Sequence, residues 1–275
     1  LILDIFNQHA KTKEAKTQVE LAQLEYMLPR LTRAWTHLER QMGGIGARAG
    51  AGETQIEVDR RLLRTKISKL KKELIKIEKE RDTQSKNRLN EFKVALVGYT
   101  NAGKSTLMKT ISGADVVIKD QLFATLDTII RTVKLDNSHK ILLSDTVGFV
   151  RKLPHHLVAS FKSTLKEVIE ADLILIILDA SSNEVNDHYN TIIEVLKDLG
   201  VERSSSLIIM NKIDNENFKN QMNFLKNKFS EAIFISALNK LMIDSLIKKV
   251  IDIMDMNFET VDLHFTYQES KMLAL

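Results

Sequence analysis

The chain has 275 residues, with 40 Lys and Arg against 36 Asp and Glu for a net charge of +4, and it contains no cysteine, 2 prolines and 10 glycines. That length predicts one large domain or two smaller ones, and 44% hydrophobic with 28% charged residues is enough for a buried core, which excludes an intrinsically disordered chain. Without cysteine there is no disulfide framework, no thiol nucleophile and no thiolate metal site.

The opening stretch LILDIFNQHAKTKE turns charged before a signal-peptide core could form, and the longest apolar run, Leu173 to Leu178, is far too short to cross a bilayer. A soluble cytoplasmic protein is expected, with at most peripheral membrane association. The chain begins on Leu1 rather than Met and a strand-like stretch leads to Leu275, so both ends are expected to be cuts in a longer chain.

Residues 14–90 read as helix on either side of a glycine cluster. Leu21, Leu24, Leu28, Leu31, Trp35 and Leu38 recur at steps of 3 and 4, and so do Leu63, Ile67, Leu70, Leu74 and Ile77. That is the period of a heptad seam. Two such stripes predict an antiparallel helical hairpin within a domain spanning 1–90, and five of the ten glycines, all between 43 and 52, make the loop at its turn. Residues 61–90 hold 11 Lys and Arg against 4 Asp and Glu, a local +7 that leaves the remainder at −3. Such a run is either a solvated helix face or a basic arm that follows a phosphate backbone, in which case affinity falls steeply with salt.

From Phe92 short apolar runs alternate with amphipathic segments. Strands are predicted at 93–98, 130–136, 140–145, 173–179, 207–211 and 232–236, and helices at 103–112, 155–170, 185–199, 217–229 and 239–257. The alternation, with nearly all-apolar strands, predicts an α/β domain over 91–258: a mostly parallel sheet with helices on both faces. The stretch VDLHFTY at 261–267 alternates like a strand and is expected to open a truncated domain over 259–275.

The first strand runs into GYTNAGKS at 98–105, the phosphate-loop pattern G-x-x-x-x-G-K-[ST] between a strand and a helix. Gly98 and Gly103 let the backbone curl so that the amides of Tyr99, Thr100, Asn101, Ala102 and Lys104 face a phosphate, aided by the helix N-terminus. Lys104 is expected to bridge the β- and γ-phosphates, and Ser105 to ligate Mg²⁺. Asn101 has two readings: a side chain that holds a monovalent cation such as K⁺ against the phosphates, as in potassium-activated GTPases, or a loop-stabilising hydrogen bond.

Next comes QLFATLD at 121–127, where Thr125 is the hydroxyl expected to complete the Mg²⁺ shell, with Thr128 and Thr132 as rivals. DTVGF at 145–149 places Asp145 to hold Mg²⁺ and the Gly148 amide to sense the γ-phosphate. Many GTPases carry a glutamine after this glycine to orient the attacking water. Here Phe149 offers no hydrogen bond, so slow unstimulated hydrolysis is expected unless another group positions the water; the other reading of Phe149 is a plain core residue. NKID at 211–214 selects the base, because the Asp214 carboxylate accepts both N1–H and the exocyclic amine of guanine, which adenine lacks at that edge, while Asn211 and Lys212 brace the loop. Ser236-Ala237-Leu238 is expected to aim a backbone amide at guanine O6. No triad or zinc-ligand spacing competes, and His155-His156 beside Pro154 read as a surface helix start.

These residues resemble the HflX family of translation-factor-related GTPases over essentially the whole chain. The resemblance rests on LDIF at 3–6, VELAQLEYMLPRL at 19–31, WTHLERQ at 35–41, GGIGARAGAGETQIEVDRR at 43–61, GYTNAGKSTL, DQLFATLD, DTVGF and NKID. The first four lie outside the nucleotide domain and separate this family from other GTPases. It implies a cytoplasmic, monomeric, Mg²⁺-dependent GTPase that binds the large (50S) ribosomal subunit and its 23S rRNA and dissociates stalled or idle ribosomes, with the glycine-rich loop and helical arm as the RNA-binding parts. It also implies GTP and GDP contacts at Gly98 to Ser105 with Thr106, at Phe123, Ala124, Thr125, Leu126 and Asp127, at Asp145, Thr146, Val147 and Gly148, at Asn211, Lys212, Ile213 and Asp214, and at Ser236, Ala237 and Leu238.

The chain departs from the family where G-P-G-E becomes Gly50-Ala51-Gly52-Glu53, where Pro-Thr after FATLD becomes Thr128-Ile129, and in lacking most of the first N-terminal subdomain. The alternative function is a GTP-gated module whose hairpin docks a protein, such as a membrane-associated protease. Leu70→Ala would weaken that docking, whereas replacing Lys69, Lys71 and Lys72 together would weaken an RNA arm.

Overall fold

The structure is a computed structural model and describes residues 2–10, 12–41, 51–85, 91–113, 128–149, 165–201 and 205–256. Six strands form one sheet: β1 (Phe92–Gly98), β2 (Ile129–Lys134), β3 (Lys140–Asp145), β4 (Leu173–Asp179), β5 (Ser205–Asn211) and β6 (Ile233–Phe234). Their order is β2-β3-β1-β4-β5-β6, with β2 antiparallel to β3 and the other neighbours parallel. In β4 every residue from Leu173 to Leu178 is buried, as a central strand covered on both faces requires. Alternate residues serve opposite faces: Val94, Leu96, Leu175 and Ile177 join one core, and Ala95, Val97, Ile174 and Ile176 the other.

The helices of this half are α4 (Lys104–Ser112), α5 (Lys166–Ile169), α6 (Val185–Asp198), α7 (Glu216–Lys228) and α8 (Ile243–Met256). Capping explains two boundaries. The Asn215 side chain accepts from the Asn217 amide and starts α7, and Gly113, at φ 65°, ends α4. Of the helix expected at 155–170, only α5 falls among the described residues.

The last helix starts later than its sequence suggests, at Ile243 rather than 239. A bridge pairs Ser236 with Leu241 through reciprocal backbone hydrogen bonds of 3.2 and 3.0 Å. It puts Lys240 and Met242 at φ 56° and 60°, in the left-handed region that a right-handed helix cannot include. The strand expected at 130–136 ends at Lys134, and that expected at 232–236 is two residues long. The strand expected from 207 begins at Ser205, where two exposed serines pair with Leu173 and Ile174 of β4.

Ahead of the sheet lie α1 (Ile2–His9), α2 (Lys13–Gln41) and α3 (Ala51–Ser85). The Thr12 hydroxyl accepts from the Ala15 amide at 3.1 Å and caps α2, which runs through Pro29. Leu21 and Leu24 of α2 meet Ile67 and Leu70 of α3, with Leu28, Leu63 and Leu74 alongside. The hairpin is antiparallel, since Lys13 pairs with Glu73 at 2.7 Å and Glu20 with Lys66 at 2.6 Å. Ala51 and Gly52, expected in the loop, belong to α3. The rest of that loop, the side chains of Leu31, Trp35 and Leu38, and the stretch 259–275 lie outside the described residues. No helix among the described residues is long and apolar enough to cross a membrane.

Candidate functional site

The site gathers at the C-terminal ends of β1, β3, β4 and β5, where the loops of a parallel sheet converge. At the end of β1, Gly98 lies so close to β4 that a Cβ would press into the Ile177 carbonyl. Gly103, at φ 94°, could carry no side chain either, because a Cβ would strike the Asn211 amide nitrogen. Between them the chain turns and α4 starts on Lys104. The Lys104 ammonium donates to the carbonyls of Gly98 at 3.1 Å and Tyr99 at 3.0 Å. Burial pushes its pKa down to about 8, against the opposing pull of the Asp145 carboxylate. Asn101 is exposed at φ 62°, and its side chain makes no hydrogen bond among the described residues.

Ser105 donates its hydroxyl proton to Asp145 Oδ2 at 2.6 Å, bringing the phosphate-loop helix to the end of β3. A hydroxyl and a carboxylate meeting in this way are the hard oxygen donors that Mg²⁺ takes, so the donor set fits that ion. No cluster of three or more His, Asp and Glu able to hold a metal occurs among the described residues.

The residues after Asp145 each face a different neighbour. Thr146 donates its hydroxyl to the Leu96 carbonyl at 2.7 Å. Val147 is buried with Phe6, Ala10, Ala15, Val19 and Ala22 of the α1–α2 segment. Gly148 faces the phosphate loop, where a Cβ would lie 2.9 Å from Thr100 Cα and 3.1 Å from Lys104 Nζ. Phe149 donates its amide to Gly98 O at 3.0 Å and accepts from the Thr100 amide at 2.9 Å. Its ring is 2% exposed and packs in the core with Val97, Leu165 and Val168, so the core reading of Phe149 describes it.

On the base side, Asn211 is a staple. Its Nδ2 donates to Ala102 O at 2.9 Å, and its Oδ1 accepts from the Ala237 amide at 2.9 Å. Lys212, at φ 67°, pairs with Asp179 at 2.8 Å. Ile213 donates its amide to the Ile235 carbonyl, and Asp214 follows in the turn before α7. Two amides of Ser236-Ala237-Leu238 are engaged elsewhere: Ser236 donates to Leu241 O, and Ala237 to Asn211. The Leu238 amide is the one without an acceptor among the described residues, on a residue 73% exposed.

Thr106 sits on the first turn of α4 beside this cluster. Phe123, Ala124, Thr125, Leu126 and Asp127 lie outside the described residues, as do His155 and His156. Thr132 is exposed in mid-β2, opposite Leu142. Sequence reasoning missed Thr110, which donates to Ala237 O at 2.8 Å, and Asp179, whose only local signal is a charge ending the apolar run LILIILD.

The basic stretch of α3 divides in two. Lys66, Lys71 and Lys76 pair with Glu20, Glu25 and Glu80. Arg61, Arg64, Lys69 and Lys72 make no ion pair among the described residues and line a groove of about 780 Å³.

Residues 9–88 match the family model described as GTP-binding GTPase Middle Region, and 93–212 match the one described as 50S ribosome-binding GTPase. The GTPase HflX of Flavobacterium psychrophilum is 47% identical over 97% of this chain and 68% of its own length. That of Magnetococcus marinus is 53% identical over 78% of this chain and 50% of its own, and that of Escherichia coli 47% over 86% and 56%. The chain thus spans between half and about two thirds of these curated relatives. A GTP-binding protein from Sulfolobus solfataricus, solved in complex with GDP, superposes with a TM-score of 0.57 at 27% identity over 93% of this chain and 71% of that one.

Proposed function

The chain belongs to the HflX family of GTPases, and from that membership we propose that it binds GTP with Mg²⁺ at its phosphate and base loops, hydrolyses it slowly, and uses the nucleotide state to set its helical hairpin against the large ribosomal subunit. Lys104 and the turned amides of 98–105 hold the polyphosphate. Mg²⁺ would be held by Ser105 and, through water, by Asp145, with the Thr125 hydroxyl completing the shell, and would supply charge neutralisation at the reacting phosphates. Asp214 and the Leu238 amide recognise guanine. Asn101, exposed on the loop, would hold K⁺ if the cation reading is right, in which case replacing K⁺ by Na⁺ lowers the hydrolysis rate.

The observation that carries the switch is Val147. It sits between Asp145 and Gly148 yet is buried against α1 and α2, so a γ-phosphate that draws Gly148 inward also pulls on the helical segment. The partner follows from charge: the groove lined by Arg61, Arg64, Lys69 and Lys72 suits an RNA backbone, and hydrolysis would release the arm in the course of dissociating ribosomes. Steady-state GTP hydrolysis with and without purified 50S subunits tests this. Stimulation that fades as salt is raised is expected, and a rate left at its basal value even at low salt would overturn it.

A further inference from the structure

The segment from Asp179 to His188 touches both halves of the site. At one end Asp179 pairs with Lys212, and the Ala180 amide donates to the Asn211 carbonyl at 2.8 Å. Gln221 of α7 steadies the turn by donating to the carbonyls of Ala180 at 2.7 Å and Ser182 at 3.2 Å. At the other end, on the first turn of α6, the His188 imidazole lies flat on the Tyr99 ring, with centroids 3.9 Å apart and planes at 17°. The His188 side chain is 15% exposed, with Glu184 Oε2 3.6 Å from its Nε2.

Tyr99 is the second residue of the phosphate loop, and its backbone matters as much as its ring. Its carbonyl accepts from Lys104 at 3.0 Å, and its neighbours Gly98 and Thr100 are the two that bond to Phe149. A stacked pair restricts the ring, and with the ring fixed the carbonyl is aimed.

We propose that His188 is a positioning residue of the nucleotide site, holding Tyr99 by stacking so that the Gly98 and Tyr99 carbonyls keep Lys104 directed at the β- and γ-phosphates. This rests on the nucleotide reading of the loop. Its consequence is selective: His188 acts through a lysine that meets phosphates beyond the first, so GDP and GTP feel its loss and GMP does not.

The test compares dissociation constants of GDP, GTP and GMP, by competition against a fluorescent GDP analogue, for the unsubstituted chain, His188→Ala and His188→Phe. His188→Ala should weaken GDP and GTP about fivefold, the scale of one stacked pair, with GMP unchanged. His188→Phe keeps a ring that can stack and should restore GDP binding to within about twofold. The proposal is overturned if His188→Ala leaves GDP unchanged, if GMP weakens in step with GDP, or if His188→Phe fails to restore binding while its thermal unfolding matches the parent. An unsubstituted chain that binds no GDP would instead overturn the nucleotide reading beneath it.

Discussion

The sheet and the hairpin bury their apolar residues in different ways. β1 and β4 are covered on both faces, and the loops at their ends are stitched by hydrogen bonds between residues far apart in the chain, such as Asn211 with Ala102. The α2–α3 hairpin buries one stripe, Leu21, Leu24, Ile67 and Leu70, and fastens its flanks with exposed ion pairs such as Lys66 with Glu20, of the kind that contribute little to stability. The first design gives a stiff platform on which a few tenths of an ångström matter. The second leaves one apolar seam flanked by solvated charge, the arrangement on which the proposed RNA-binding arm rests. Val147 is the point at which α1 and α2 meet the segment that follows β3.

The sharpest way to break the platform is Asn211→Ala. It removes both staples and strands the buried Ala102 carbonyl and Ala237 amide, so denaturant unfolding should show a loss of about 2–4 kcal/mol, and GDP binding should be abolished. Leu70→Ala breaks the arm instead. A cavity in a narrow seam should cost about 2 kcal/mol, and hydrogen exchange should speed up along α2 and α3 while β1 and β4 stay protected. Uniform acceleration across both regions would refute the division into platform and arm.

Titration sharpens the comparison further. Burial holds Lys104 down to about 8, and a bound polyphosphate would raise it. Binding therefore takes up a proton above pH 8, and GDP affinity, flat below that pH, should fall by up to about tenfold per pH unit above it. Lys104→Met should bind weakly with no such slope. For folding the sign is opposite to that of an ion-paired lysine: the unfolded chain binds more protons between the lowered value and the ordinary 10.5, so the fold gains from Lys104 as pH rises through that window. The smallest effect is expected at Met242, whose positive φ suits glycine. Met242→Gly should raise stability by about 0.5–1 kcal/mol in thermal unfolding.

Much of this was legible in the residues. Apolar runs gave β1, β3 and β4 almost to the residue, because strands buried on both faces carry an uninterrupted signal. The motifs at 98–105, 145–149 and 211–214 stand out by spacing, and the structure brings Ala102 to Asn211 and Ser105 to Asp145. What was missed depends on contacts between distant segments. Asn239 to Met242 contains no glycine or proline and reads as helix, yet pairing of Leu241 with Ser236 forbids it. Which amide of Ser236-Ala237-Leu238 stays open was not legible either, since Asn211 takes that of Ala237. The imidazole of His188 lies on Tyr99, and nothing within ten residues of either announces the other.

The pairing of β1 with β3 carries one further consequence. Through the strands Leu96 stands opposite Asp145, but at the next bridge Tyr99, three residues on, stands opposite Phe149, four residues on. The β3 side therefore carries one residue of slack, which Thr146, Val147 and Gly148 take up as an arch. Deleting a single residue from that arch would let the two chains zip straight through, trading the lever for one more rung of ladder. Expected from such a deletion is a protein that keeps its sheet and loses its switch, with GTP and GDP bound alike and the helical arm indifferent to which is present.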